Sequence, residues 1–463
     1  MASQLTIDSP VFSRRMVQAE ARTRVWPSFD LVRTALIAAL IAAPLAFGAV
    51  QPWGWGVLAI AAFLLFFLWS IASARQGRVR ILWSPLYLPA GIFFLTAMVQ
   101  YAGHFTMDRV ATREALVKMG TDLIFFFLAG QLFPELLTPR SPRSVSGMWY
   151  GKARIGEAYI LSLSGLRWTL VLYTFILSLF AIFQFFSSQG LIYWRVPSPG
   201  WTFGPYVNHN HYAGLMEMLI PLAIASALPG LRRHPSAVLL GFGLLIPVAS
   251  LLLSGSRGGF MAFMAEIVLA AVLVFIYGPR HARRVVAAVG GAALLAAGLL
   301  FIWMAPREVA ERLAKLGGAA HPSEVELGHR LAAARDALGI WRDHPWLGAG
   351  LGSFETAFPR YLSFPSDARW DHAHNDYAEA LADTGLAGAV AILAAIVLFC
   401  RLAFGNLRLR HRAGWLPFAA ALGCSGILVH SFADFNLHMP ANAAWLAFCA
   451  ALATVPPQVK GDK

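Results

Sequence analysis

The residues best suited to chemistry in this apolar chain lie in a short polar segment from Asp371 to Tyr377. His372, His374 and Asp376 alternate with other residues along it. A histidine can take up a proton near neutral pH, and a nearby carboxylate can orient its ring. The segment therefore predicts a general base, either His372 or His374. If the segment is extended, the three alternating side chains could instead bind a metal ion.

Three arginines elsewhere could meet this segment. Arg257 lies between two apolar runs and is flanked by glycines, so it could serve chemistry or anchor the chain at lipid headgroups. Arg330 lies in a segment with helical spacing near 324–342, which a glycine run ends at 348–352. Arg195 lies among tyrosine and tryptophan residues, where it could join an interfacial aromatic belt or guide an anionic lipid head group.

Two further polar groups also have a structural and a functional interpretation. Asn208 can cap a helix that enters the membrane, while His209 and His211 could contact a substrate. The second group is His430, Asp434 and His438. Their spacing by four residues predicts one shared helix face at the last outer turn. We expect that face to be a hydrogen-bonded structural feature or a part of the site.

The elements that must position these residues are membrane helices. The chain has 463 residues, of which 58% are hydrophobic and 13% charged, whereas soluble domains carry about 25% charged residues. Apolar runs long enough to cross a bilayer recur along it, and lipid forces such spans to be helical. We predict an all-α polytopic integral membrane protein with about 12 transmembrane helices, at roughly 31–50, 56–74, 84–103, 115–133, 168–187, 209–228, 236–254, 259–277, 285–305, 381–401, 416–434 and 438–455.

The distribution of basic residues orients these spans. With the N-terminus in the cytoplasm, most Lys and Arg residues fall in cytoplasmic loops, as in other multi-pass proteins. The net charge of +13 therefore does not indicate a nucleic-acid partner. The three cysteines offer no disulfide framework. We divide the chain into a cytoplasmic N-terminal segment (1–30), nine spans (31–305), an outer catalytic loop (306–380), three spans (381–455) and a cytoplasmic tail (456–463).

Taken in order, these motifs resemble the O-antigen ligase and O-antigen polymerase family of bacterial envelope glycosyltransferases. The resemblance covers roughly residues 195–440. It is carried by Ser256-Arg257-Gly258, by Arg330 followed by His344-Pro345-Trp346-Leu347-Gly348, by His374-Asn375-Asp376-Tyr377, and by Asp434-Phe435-Asn436-Leu437-His438. The first four spans match the family only in being hydrophobic.

The resemblance implies a GT-C-like fold whose active site faces the periplasm from the bacterial inner (cytoplasmic) membrane. Its donor is an oligo- or polysaccharide on undecaprenyl diphosphate, transferred in a single inverting displacement without metal or cofactor. Arg257 and Arg330 would contact the diphosphate, because a guanidinium stays charged and can hold two phosphate oxygens. His374 would be the base that deprotonates the acceptor hydroxyl, with Asp376 or Asp371 orienting it.

The acceptor separates two activities within this family. A ligase transfers the finished glycan to lipid A-core in lipopolysaccharide biosynthesis, whereas a polymerase extends the growing glycan. We favour the ligase. The residues expected to bind substrate are Arg195, Asn208, His209, His211, His372, Asp376 and Tyr377. Membrane lipids are expected partners as well. Twelve spans would also suit a polysaccharide transporter. Transporters, however, tend to show repeated halves, and this sequence shows no repeat.

Overall fold

The computed structural model describes residues 28–75, 81–137, 162–198, 200–231, 237–277, 291, 327–366, 369–409 and 415–454. Within these residues the regular structure is helical, with two isolated β-bridges and no strand. The prediction of an all-α protein is therefore confirmed. Most of the predicted span 285–305 lies outside the described residues, as does nearly all of the predicted N-terminal segment 1–30.

The longer helices are numbered in the order in which they follow one another along the chain. Their bounds are α1 Ser28–Leu45, α2 Pro52–Arg75, α3 Tyr87–Ala102, α4 Arg109–Leu132, α5 Leu163–Ser187, α6 His209–Leu231, α7 Ala237–Leu253, α8 Arg257–Tyr277, α9 Leu327–Asp343, α10 Asp376–Leu409, α11 Leu416–His430 and α12 Pro440–Thr454. Short helices occur at Pro134–Leu137 and Phe354–Ala357, and 3-10 helices at Phe47–Ala49, Phe358–Arg360 and Asn436–His438.

Six of the described helices are long and apolar enough to cross a membrane: α2, α4, α5, the first 20 residues of α6, α8 and most of α10. Shorter apolar helices are α3, part of α7, α11 and α12. Each predicted span except 285–305 overlaps a described helix. The structure thus supports several membrane spans, while the exact count of twelve is not confirmed.

Helix α6 lies at the centre of the bundle. It packs against α5, α7, α8, α11 and α12 and is almost entirely buried by them. Its first turns carry small residues, Ala213 and Gly214, which allow neighbouring segments to approach closely. Helix α10, by contrast, leaves most of its span exposed on the outside of the bundle, as expected of a helix that faces lipid. The polar residues at the start of α6 are therefore held inside protein.

A second, smaller core supports the polar segment between α8 and α10. Helix α9 confirms the helix predicted near 324–342. Its buried alanines, Ala333 and Ala337, pack with Phe354, Phe358 and Trp370. This arrangement follows from the helical spacing of small residues on one face of α9. We call residues 327–376 the outer segment.

The glycine run docks the outer segment onto α10. Backbone N–H groups of Ala349 and Gly350 donate to the carbonyl oxygens of Ala382 and Asp383, at 2.9 Å each. Gly385 has φ +60°, and a Cβ there would lie 2.5 Å from the carbonyl carbon of Trp346. Only glycine combines that backbone conformation with so close a contact. The glycines thus let two backbones touch where a side chain would separate them.

Candidate active site

His374 lies at the junction between the outer segment and the bundle. It is the second residue before α10 and has φ +51°, which is uncommon for a residue with a side chain. Its ring meets the rings of Trp370 and Phe435 edge-on, with centroids 5.7 and 4.9 Å away. Its Nδ1 lies 3.4 Å from Oδ1 of Asp434. Strained backbone of this kind clusters at functional sites.

Asp434 is the carboxylate that the structure brings to His374. Its Oδ1 accepts the backbone N–H of Phe435 at 2.9 Å and lies 3.8 Å from Nε2 of His211. Burial would raise the pKa of the Asp434 carboxyl, but the close His374 ring and nearby positive charge, including that of Arg330, hold this pKa well below its usual range. Asp434 is therefore a buried carboxylate positioned to orient His374.

This arrangement differs in two respects from the expectation. Asp376 and Asp371 were expected to orient His374, whereas within the described residues Asp434 is the carboxylate within 4 Å of its ring. Asp434 was also expected to share one helix face with His430 and His438. Helix α11 ends at His430, the chain then turns, and Asn436–His438 forms a 3-10 helix, so that expectation is wrong. Non-helical backbone at Phe435 and the proline that opens α12 separate the two helices.

Arg330 lies on α9 and reaches the same place from the outer segment. Its Nε is buried and has no hydrogen-bond partner. His329 beside it stacks on Phe364, with ring centroids 4.9 Å apart, so the neighbouring imidazole faces the outer core. The positive charge of the Arg330 guanidinium contributes to the lowered pKa of the Asp434 carboxyl.

Arg257 is the first residue of α8 and is exposed. The glycines that follow it let α8 begin against two other helices. A Cβ at Gly258 would lie 2.6 Å from Nε2 of His430, and one at Gly259 would lie 2.5 Å from Cβ of Ala213. Ser256 Oγ accepts the backbone N–H of Gly259 at 3.0 Å and so caps the helix. Arg257 is thereby placed at the rim of the region that contains Asp434.

A buried ion pair supports this corner of the bundle. His430 Nδ1 lies 2.7 Å from Oε1 of Glu217, and both side chains are at most 1% exposed. The pair joins α11 to α6 directly beneath Gly258. Buried charges in a membrane span are costly unless they are paired, so the contact accounts for Glu217 within α6.

A second cluster lies on the other side of Phe435. His372 Nδ1 lies 2.7 Å from Oε1 of Glu379, and His438 Nε2 lies 3.3 Å from the same oxygen. The His372 and His438 ring centroids are 4.4 Å apart, and Phe435 stacks on His372 at 4.3 Å. Asp376 Oδ1 lies 3.6 Å from His438 Nε2. One atom from each of His372, Glu379 and His438 lies within 4.8 Å of the other two, which suits a metal ion.

The pKa values of the two histidines of that cluster shift in opposite directions. Burial alone would lower the pKa of His372, but the Glu379 carboxylate beside it outweighs burial and raises the pKa. Burial lowers the pKa of His438 to about 4, against the opposing attraction of Glu379. The Glu379 carboxylate therefore favours the protonated form of His372 more effectively than that of His438.

The other predicted site residues are distributed around this region. His211 faces Asp434, as described above. His209 stacks on Trp201 with centroids 4.6 Å apart, and its Nδ1 lies 2.8 Å from the carbonyl oxygen of Ser254. Asn208 caps α6, because its Oδ1 accepts the backbone N–H of Asn210 at 2.8 Å.

Tyr377 and Arg195 lie at the edges of the region. The Tyr377 hydroxyl donates to the Leu428 carbonyl oxygen at 2.6 Å and so ties α10 to α11. Arg195 is exposed and lies next to Trp194, whose ring packs near Phe180 and Phe183. That setting agrees with an aromatic patch at a membrane surface.

Glu379, Phe435 and the pairing of Asp434 with His374 were not predicted from the sequence. Glu379 is a polar residue at the start of an apolar helix, and Asp434 follows a histidine by four residues. These signals could have drawn attention to both carboxylates. The contacts of Asp434 with His374 and of Glu379 with His438 join positions about 60 residues apart, and spacing along the chain carries no information about such contacts.

Comparison with known proteins gives one match. Residues 242–393 match the family described as O-antigen ligase. This stretch includes Arg257, Arg330, the glycine run and His374, and it ends before Asp434. The match, over about a third of the chain, confirms the resemblance that the motifs indicate. No curated protein matches the chain.

Proposed function

We propose that this multi-pass membrane protein is a glycosyltransferase of the O-antigen ligase type that transfers a glycan from undecaprenyl diphosphate to a hydroxyl of lipid A-core. One observation carries the proposal. Around one carboxylate, Asp434, lie the His374 ring, with Nδ1 3.4 Å from Oδ1, and two buried nitrogens without a hydrogen-bond partner, Arg330 Nε and His211 Nε2. Such atoms are rare in folded proteins, and a substrate that supplies donors and acceptors would satisfy them.

The proposed step is a single displacement at the anomeric carbon of the donor sugar. The acceptor oxygen forms a bond to C1 while the bond from C1 to the diphosphate oxygen breaks. The acceptor proton moves to His374, and the electron pair of the broken bond leaves with undecaprenyl diphosphate. Asp434 faces the His374 ring at 3.4 Å, so its negative charge would stabilise the imidazolium that forms.

Arg257 and Arg330 are proposed to stabilise the leaving diphosphate. Negative charge grows on that group as the bond breaks, and fixed cations nearby lower the barrier. Guanidinium groups supply this charge without a divalent cation in the reacting centre. The two arginines belong to different parts of the fold. Arg257 is in the first turn of α8, and Arg330 is in α9.

The remaining features of the proposal follow from orientation and family resemblance. The GT-C-like fold would lie in the bacterial inner membrane with residues 306–380 forming a periplasmic catalytic loop. Arg195, Asn208, His209, His211, His372, Asp376 and Tyr377 would line the donor or acceptor paths or support them. The buried start of α6 favours His211 among these, because its ring faces the catalytic carboxylate.

The test is a reconstitution assay with purified protein, undecaprenyl-diphosphate glycan and lipid A-core, without added divalent cation. The variants Arg257→Ala, Arg330→Ala and His374→Ala are compared with wild type. Arg342→Ala is the matched control, because Arg342 is an exposed arginine on the same helix as Arg330. We expect glycan on lipid A-core with wild type and the control, and a loss of at least about 100-fold in each of the three variants.

Three other outcomes would change the conclusion. Lengthening of the lipid-linked glycan with untouched lipid A-core would identify a polymerase. Movement of intact donor across the bilayer would identify a transporter. Full activity of His374→Ala would remove the proposed base and leave His372 as the residue to test.

A further inference from the structure

We propose that His372, Glu379 and His438 form a binding site for a first-row divalent metal ion of the zinc class, with Asp376 beside it. The site lies beside Phe435 and apart from the His374–Asp434 contact. It differs from the set expected from sequence, because His374 is not a member and His438 lies far along the chain from the others. The proposal concerns a structural ion and assigns it no part in bond making or breaking.

The ligand atoms have the chemistry and spacing that such an ion requires. Imidazole nitrogen and carboxylate oxygen bind zinc at about 2.0–2.2 Å, which places neighbouring ligand atoms about 3.3 Å apart in a tetrahedron. His438 Nε2 and Glu379 Oε1 are 3.3 Å apart, whereas His372 Nδ1 and Glu379 Oε1, at 2.7 Å, form a hydrogen bond that a bound ion would replace. Two imidazoles and two carboxylates also balance the charge of one divalent cation.

Asp376 supplies independent evidence for a ligand. The residue is 4% exposed, and its Oδ1 is buried with no hydrogen-bond partner. That oxygen faces the cluster and lies 3.6 Å from Nε2 of His438. A bound cation, or a water molecule on that cation, would satisfy it. An unpaired buried carboxylate oxygen is otherwise difficult to explain in energetic terms.

Backbone contacts fix both carboxylates for this role. Oε2 of Glu379 accepts the N–H of Ala373 at 2.7 Å, while Oε1 faces the histidines. Oδ2 of Asp376 accepts the N–H of Leu437 at 3.3 Å, while Oδ1 faces His438. Hydrogen bonds of this kind orient metal ligands. The imidazole side chains remain 23% and 27% exposed, which leaves an entry path for the ion.

The ion would join two segments that carry the proposed catalytic groups. His372 and Asp376 flank His374, and His438 lies four residues after Asp434. A metal bound across them would fix the outer segment against the turn before α12. This consequence rests on the proposed function, whereas binding of the ion does not, so the two can fail separately.

The experiment uses the full-length protein in detergent, treated with chelator, desalted and titrated with Zn²⁺ or Co²⁺ in the absence of glycan substrate. Metal content, the visible d–d absorption of bound Co²⁺ and thermal unfolding are measured. The variants are His438→Ala and Glu379→Gln. His104→Asn serves as the control, since His104 is an exposed imidazole outside the cluster and asparagine tolerates its positive φ.

We expect wild type and His104→Asn to bind about one ion per chain, with a Co²⁺ spectrum typical of nitrogen and oxygen ligands. Each cluster variant should bind at least about 100-fold more weakly. Added Zn²⁺ should raise the unfolding temperature of wild type only. If wild type binds no stoichiometric ion, or if folded variants bind as tightly as wild type, the proposal is overturned. The wild-type Co²⁺ spectrum decides the matter even if a variant fails to fold.

Discussion

The helix bundle around α6 and the outer segment contribute to the candidate site in different ways. The bundle is built on a large apolar core, and its polar groups near the site, such as Glu217 and His430, are paired inside it. The outer segment has a small core of alanines and aromatic rings and is attached to α10 through backbone contacts at glycines. Asp434 and Arg257 belong to the bundle side, while His374 and Arg330 come with the outer segment.

This difference indicates that the site exists only where the two regions meet. The bundle supplies a fixed carboxylate, and the outer segment supplies the proposed base and one of the two proposed cations. Regions with few buried apolar contacts open at lower free-energy cost than a bundle core. Variants in the outer segment should therefore affect transfer more than they affect unfolding of the bundle.

The largest effect is expected for His374→Gln. Glutamine retains a polar side chain of similar size but cannot accept the acceptor proton, so kcat should fall by about 100- to 10,000-fold. Donor binding, measured with a fluorescent undecaprenyl-diphosphate analogue, should change little. A fall in donor affinity with unchanged kcat would show that His374 binds substrate rather than transferring a proton.

The next effect is expected for Arg330→Ala, with a loss of about 100- to 1,000-fold in transfer. Arg330→Lys should recover only part of it, because an ammonium cannot hold two phosphate oxygens in a planar fork. The same pair of substitutions at Arg342 provides the comparison on α9. Equal activity of Arg330→Lys and wild type would reduce the role of Arg330 to a general positive charge.

A smaller effect on transfer is expected for Asp434→Asn. Hydrogen bonds to charged groups contribute about 1.5–3 kcal/mol, which corresponds to a loss of about 10- to 100-fold.

The thermal stability of the Asp434→Asn variant relative to wild type tests the lowered pKa of Asp434. A carboxylate with a lowered folded-state pKa stabilises the protein above its unfolded pKa of about 4 and loses this contribution as the pH falls through the folded value.

The stability difference between wild type and Asp434→Asn should therefore be constant between pH 7 and about pH 5 and should shrink below about pH 4. Thermal unfolding at a series of pH values measures it. A difference that instead grows on acidification would show that the carboxyl pKa is raised in the folded protein, contrary to the arrangement around His374.

The smallest effect is expected for Gly385→Ala, which tests the attachment of the outer segment to α10. The positive φ and the 2.5 Å approach to Trp346 should cost about 1–3 kcal/mol and displace the outer segment. Transfer should fall several-fold, with earlier proteolysis of the outer segment as a second measurement. Gly405→Ala is the control on the same helix, because no atom lies within 4 Å of its Cβ position. Identical behaviour of both variants would show that the contact does not restrain the site.

Much of the fold could be predicted from composition and periodicity. The helical class, the approximate position of most helices and helix α9 all follow from apolar run length and from the 3.6-residue repeat, which are local properties. The order of the arginine and histidine motifs also indicated the family that residues 242–393 match. Helix ends were less predictable, as the early end of α11 at His430 shows.

The sequence alone therefore determined a helical membrane protein with its polar residues collected at one end. It could do so because the hydrophobicity of a segment depends only on the residues in that segment. Only the tertiary structure decided which carboxylate faces His374 and which groups surround Glu379. Asp434 and His438 reach the 372–379 segment because α11 packs on α6 and the chain turns back before α12. Contacts between segments about 60 residues apart depend on that packing, and spacing along the chain does not encode them.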